Sequence, residues 1–114
     1  MTPEQSELVR RIRALLVDEP AVREVSMFGG RAIMVNEKMI VSAGKDGSLL
    51  VRVDAARHDE LLDEAGTAQA TMGAGRSMGR GWIDVNPEAL ADQRLIFWVE
   101  TAMAHNRAIK DGRS

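Results

Sequence analysis

The sequence contains no cysteine, which excludes disulfides, thiolate metal sites and cysteine nucleophiles. Histidine is nearly as scarce. His58 and His105 stand far apart in the chain, with no acidic constellation around either. The serines Ser26, Ser42, Ser48 and Ser77 have no general base beside them in sequence. The adjacent acids Asp59-Glu60 and Asp63-Glu64 fall on the outer side of a helix, where charges are usually solvated. No apolar stretch approaches the roughly 20 residues that span a bilayer. The N-terminus, Met1-Thr2-Pro3-Glu4-Gln5, lacks the basic-then-apolar pattern of a signal peptide. A cytoplasmic, non-enzymatic protein without cofactor or metal is expected.

The 114 residues suit one domain, with a core spanning about 8–109. Apolar residues are 45% and charged residues 28% of the chain, enough for an ordinary packed core. The formal net charge of −2 argues against a broad electrostatic grip on nucleic acid. A local basic patch is still compatible with it, at Arg76 and Arg80 or at Arg10, Arg11 and Arg13. The second group reads better as a solvated helix face.

The first helix has a capping pattern in Thr2, Pro3 and Gln5, and Leu8, Val9, Ile12, Leu15 and Leu16 recur on one face. Pro20 marks its end. Val25–Phe28 is a short apolar run broken by Gly29-Gly30. Arg31–Val35 and Lys38–Ala43 are strands joined by a tight Asn36-Glu37 turn. After the Gly44–Gly47 turn, Ser48–Val53 alternates, which predicts Leu49, Val51 and Val53 in the core and Leu50 and Arg52 on the other face. This is an antiparallel meander.

Asp54 caps a middle helix that Gly66 ends, with Leu61, Leu62 and Ala65 inward and His58 packed on the same side. The glycine-rich stretch 67–80 reads as a surface connection. It lacks G-x-x-x-x-G-K-S/T and is a poor phosphate cradle. Gly81–Val85 is a late strand. Asn86 and Pro87 open a long third helix that runs to about Ile109. The expected fold is α+β, an antiparallel sheet flanked by three helices.

Three segments, in order and spacing, resemble the TfoX/Sxy family N-terminal domain. They are Met27-Phe28-Gly29-Gly30, Ser48–Val53, and Arg76-Ser77-Met78-Gly79-Arg80-Gly81-Trp82-Ile83-Asp84-Val85 leading into the helix with Phe97-Trp98-Val99. The resemblance covers roughly Arg10 to Ile109. It implies an α+β domain of bacterial regulators of competence for DNA uptake, which act with a transcription factor and carry a second domain. The chain is expected to be a stand-alone, single-domain member. Ser77 stands where the family often has proline, which leaves that loop less rigid.

The candidate surface for a ligand or partner comprises Met27, Phe28, Gly29, Gly30, Arg52, Arg76, Met78, Gly81 and Trp82. The glycine pair serves a bend or exposes amides to a ligand. Arg52 is either solvated or paired with Glu24 or Asp84. Arg76, Arg80 and Trp82 form either a plain loop over a core tryptophan or a set able to hold phosphate and stack on a base. A second surface lies on the third helix. Leu95, Ile96, Trp98, Val99, Ala102 and Met103 cover the sheet, so Phe97 points away, in a seam with Leu90, Thr101, Ala104 and Ala108. Protein docking or homodimerisation there is the leading expectation. The alternatives are a nucleic-acid module using Arg76–Trp82 and a small-ligand pocket near Gly29-Gly30.

Overall fold

The computed structural model describes residues 1–27, 29–72 and 75–112. Helix α1 (Pro3–Leu15) starts where Thr2 Oγ1 accepts the Gln5 N–H at 3.1 Å. The reciprocal half of the expected capping box does not form. The Gln5 side chain is buried instead and donates to Ala43 O at 2.9 Å and to Gly29 O at 3.3 Å. Leu8, Val9, Ile12 and Leu16 are buried, whereas Leu15 is exposed. At 100° per residue Leu15, the last residue of α1, falls at the edge of the stripe that Leu8, Val9, Ile12 and Leu16 share.

Strands β1 (Val22–Met27), β2 (Gly30–Val35), β3 (Lys38–Ala43) and β4 (Leu49–Arg52) form a continuous antiparallel meander. The β2–β3 turn places Asn36 at φ 54° and Glu37 at φ 65°, the left-handed pair that a two-residue hairpin requires. An exposed ion pair of 2.6 Å between Glu37 and Arg23 links the turn to β1. A bulge follows, with Ile33 opposite Val41 and Met34 opposite Met39. Ile40 is the extra residue, and it turns into the core beside Val41.

The middle helix is shorter than expected. Asp54 caps a 3₁₀ turn (Ala55–Arg57) by accepting the Ala56 N–H at 2.9 Å, and α2 is His58–Leu61. Leu61 is buried and Leu62 half-buried, but Ala65 is exposed because the helix has ended before it. The segment expected as a plain connection contains a sheet strand, β5 (Thr67–Gln69), and a two-stranded ribbon, β6 (Thr71–Met72) with β7 (Arg76–Ser77). Strand β8 (Trp82–Val85) lies between β4 and β5, giving the order β1-β2-β3-β4-β8-β5 with every pair antiparallel.

The third helix also starts late. Asn86 and Pro87 open a 3₁₀ turn (Pro87–Leu90), Ala91 is extended, and Asp92 has φ 51°. Only then does α3 (Gln93–Gly112) begin. Its inward face is as expected, with Leu95, Trp98, Val99, Ala102 and Met103 buried and Ile96 half-buried. No helix among the described residues is long and apolar enough to cross a membrane.

Both α1 and α3 pack on the same face of the sheet. Leu49, Val51, Ile83 and Val85 are fully buried there, each contributing roughly 1.5–3 kcal/mol by leaving water. Leu50 and Arg52 are half-buried on the opposite face. Leu49→Ala should therefore cost about 2–5 kcal/mol in urea unfolding, and Leu50→Ala well under half of that. Equal losses would contradict this sidedness.

Candidate functional site

The face turned away from α1 and α3 carries a cleft of about 620 Å³. Its floor is a cross-strand row, Ser42 opposite Leu50 and Leu50 opposite Asp84. Met39 and Trp82 line it along the sheet, and Met78 reaches it from the segment after the ribbon. Gly29, Gly30, Lys45 and Ser48 close the other end, with Met27 at the rim. The glycine pair is structural in two ways. Gly29 has φ 81°, and a Cβ on Gly30 would sit 2.7 Å from Ser42 Oγ. The Gln5 amide holds this bend through the Gly29 carbonyl. Phe28, expected at the same site, lies outside the described residues.

Asp84 is the unusual group. Its carboxyl is half-buried, and among the described residues no cation pairs with it and no hydrogen bond holds it. Burial pushes its pKa above the ordinary aspartate value, with a further push from the charge of Asp46. Asp46 itself is held low by hydrogen bonds from Ser48.

Of its two alternatives, solvation or pairing with Glu24 or Asp84, Arg52 shows no pairing with either carboxylate. Its guanidinium lies over the Trp82 ring, 5.9 Å from the centroid, because Arg52 and Trp82 are directly opposite in the β4–β8 ladder. Glu24 is instead 3.4 Å from Arg13 and 3.9 Å from Arg31.

His58 is a packed histidine, 2% exposed, and it has two partners that its sequence neighbourhood does not reveal. The Gly81 N–H donates to Nδ1 at 2.9 Å, so the ring proton sits on Nε2, which faces Gln69 Oε1 at 2.8 Å. Gln69 Nε2 then donates to Gly79 O at 2.9 Å. Gly81 has φ 95°, and a Cβ on it would stand 3.0 Å from Val53 O. The imidazole thus pins the approach to β8 and aims Trp82 into the cleft.

The two arginines of that segment point elsewhere. Arg80 pairs with Asp59 at 3.1 Å and donates to Ala55 O at 3.0 Å. Arg76 is exposed on β7. They form no common grip with Trp82. His105 is half-buried on α3, its pKa lowered by burial and then by Arg52, and it lines no part of the cleft. No group of three His, Cys, Asp or Glu able to hold a metal occurs among the described residues.

The helical seam is only partly assembled. Leu90 belongs to the 3₁₀ turn, is 2% exposed, and gives its carbonyl to Arg11 at 2.6 Å. Phe97 is half-buried rather than pointing clear. It packs edge-on against Trp98, with centroids 5.0 Å apart, and Arg94 stacks over it at 4.6 Å. Thr101 is half-buried and bonds back to Phe97 O, while Ala104 and Ala108 are exposed.

The family model for the TfoX N-terminal domain matches residues 14–106, which include every strand and most of α3. No curated protein matches the chain.

Two substitutions probe these contacts. Folded Asp84 has a raised pKa, so the native state holds its proton to higher pH than the unfolded chain does. Stability therefore falls as pH rises from the unfolded aspartate pKa through the folded one. Asp84→Asn should raise Tm at neutral pH and lose that advantage below about pH 3.9. His58→Ala leaves the Gly81 N–H without its acceptor and should cost about 1–3 kcal/mol in denaturant unfolding, with changed Trp82 fluorescence.

Proposed function

The chain belongs to the TfoX N-terminal domain family, and on that basis we propose that it is a non-enzymatic regulatory domain that acts by binding a small ligand in the cleft on the uncovered sheet face. The cleft carries this reading. Its volume of about 620 Å³ falls within the roughly 300–1,000 Å³ of small-molecule sites. Its lining is mostly thioether, indole and alkyl surface with a few polar groups, and neither imidazole reaches it. The regulatory part rests on the likeness to competence regulators, and a cytoplasmic location is part of the proposal.

One observation favours a second reading, contact with a partner protein or a second copy through α3. Phe97 keeps part of its ring in solvent, and the exposed Ala104 and Ala108 would let another helix approach. A nucleic-acid role is less supported, since Arg80 is engaged by Asp59.

Screening neutral, cationic and anionic fragments by amide and indole NMR tests the first reading. Hits should move the signals of Ser42, Leu50 and Trp82 while leaving those of buried Trp98 in place. A library that moves none of the cleft signals refutes ligand binding there. For the second reading, light scattering should show a species larger than the monomer that Phe97→Glu returns to monomer.

A further inference from the structure

We infer that the cleft selects a small organic cation, a primary amine or guanidine on an apolar body, with its charged head against Asp84 and its body across Leu50, Met39 and Met78. This rests on the ligand-binding reading above and names the class of ligand.

The argument begins with the carboxylate. A charge moved toward an apolar environment is unfavourable unless it is paired. Asp84 stands half-buried in the middle of the floor with no cation on it. Arg52 lies on this face and Lys45 lines the cleft, and among the described residues neither pairs with the carboxylate. Arg52 is stacked over Trp82, and the Lys45 chain lies beside Gly29, with Cε 3.4 Å from where a Gly29 Cβ would be. Consistent with that placement, burial and the like charge of Asp46 are what act on the Asp84 carboxyl.

An incoming ammonium or guanidinium gains a charge-assisted hydrogen bond in a partly desolvated setting. A neutral ligand of the same shape would bury the carboxylate further without pairing it. An anion would be repelled by Asp84, whose carboxyl already feels the charge of Asp46. Selectivity therefore comes from the penalty on the wrong ligands as well as the gain for the right one. The rest of the cleft suits the body. Methionines Met27, Met39 and Met78 line it, and thioethers adapt to irregular apolar shapes. Lys45 at the Gly29 end sets the orientation, with the cationic head kept away from it and toward Asp84.

The test compares 2-phenylethylamine, 2-phenylethanol and 3-phenylpropionate, which share an apolar body and differ in head group. Each is titrated into the full chain, with Kd read from the Leu50 amide and Trp82 indole shifts. The amine should bind at least about tenfold tighter than the alcohol, and the carboxylate most weakly. Asp84→Asn should bring the amine and alcohol within about threefold. The same variant is expected to be folded and more stable at neutral pH, which circular dichroism checks, so the loss cannot be ascribed to unfolding. Leu50→Trp, which fills the floor without touching charge, should weaken all three probes.

Equal binding of amine and alcohol at the cleft, or an amine preference that survives Asp84→Asn, overturns the cation assignment but leaves the ligand-binding reading standing. If none of the three moves the cleft signals, both fall. A short apolar peptide with a central lysine is the last arm. If it binds more than about tenfold tighter than phenylethylamine, the occupant is a segment of a partner protein and the small-molecule assignment is overturned.

Discussion

The pleat of the six strands turns every second side chain toward α1 and α3 and the remainder away from them. Both helices lie on one side only, so one set of residues becomes core and the other becomes a surface of mixed character. The row Val25, Ala32, Ser42, Leu50, Asp84, Ala68 runs across the whole sheet on the uncovered side. Its members can be small, polar or charged because no helix packs on them. A one-residue slip of β8 would send Asp84 into the core and Ile83 into solvent. Stability and site are two readings of one alternation.

That alternation is the part of the molecule most visible in its residues. Leu49, Val51 and Val53, with Leu50 and Arg52 between them, announce the sidedness of β4, and the structure agrees. The Asn36-Glu37 turn and the Thr2 cap were equally legible, since both depend on local backbone chemistry. Where one signal serves two conformations, the residues do not decide between them. Asn86-Pro87 begins a 3₁₀ turn as readily as an α-helix, and extended Ala91 with Asp92 at φ 51° separates that turn from α3. This break removes Leu90 from the helix face and from the seam around Phe97. Thr67–Gln69 is too short and too polar to declare itself a strand, and it becomes one because β8 offers it an open edge.

The site was legible in pieces. Of the nine residues grouped as one candidate surface, Met27, Gly29, Gly30, Met78 and Trp82 line the cleft, Arg52, Arg76 and Gly81 do not, and Phe28 lies outside the described residues. Arg52 stands in the sequence as a lone charge among apolar neighbours, and its partner is an aromatic ring. Asp84 entered only as a candidate partner for Arg52. The pattern Ile83-Asp84-Val85 does place one acid between two core residues, which is a usable signal. Its isolation from cations is a property of three dimensions. The same holds for His58, whose hydrogen-bond partners lie 11 and 23 residues away.

Gln5 links the two sides of the sheet in a way that bears on how the molecule could report an event. One buried amide donates to Ala43 O inside the meander and to Gly29 O at the end of the cleft, while the Thr2 hydroxyl beside it donates to Lys45 O. The first turn of α1 is therefore fastened to the Gly29-Gly30 bend and to the end of β3 with the turn that follows it. Movement of that bend and loosening of the helix terminus share a free-energy term, and such coupling acts equally in both directions. Three hydrogen bonds thus tie the N-terminal turn to the backbone at one end of the cleft.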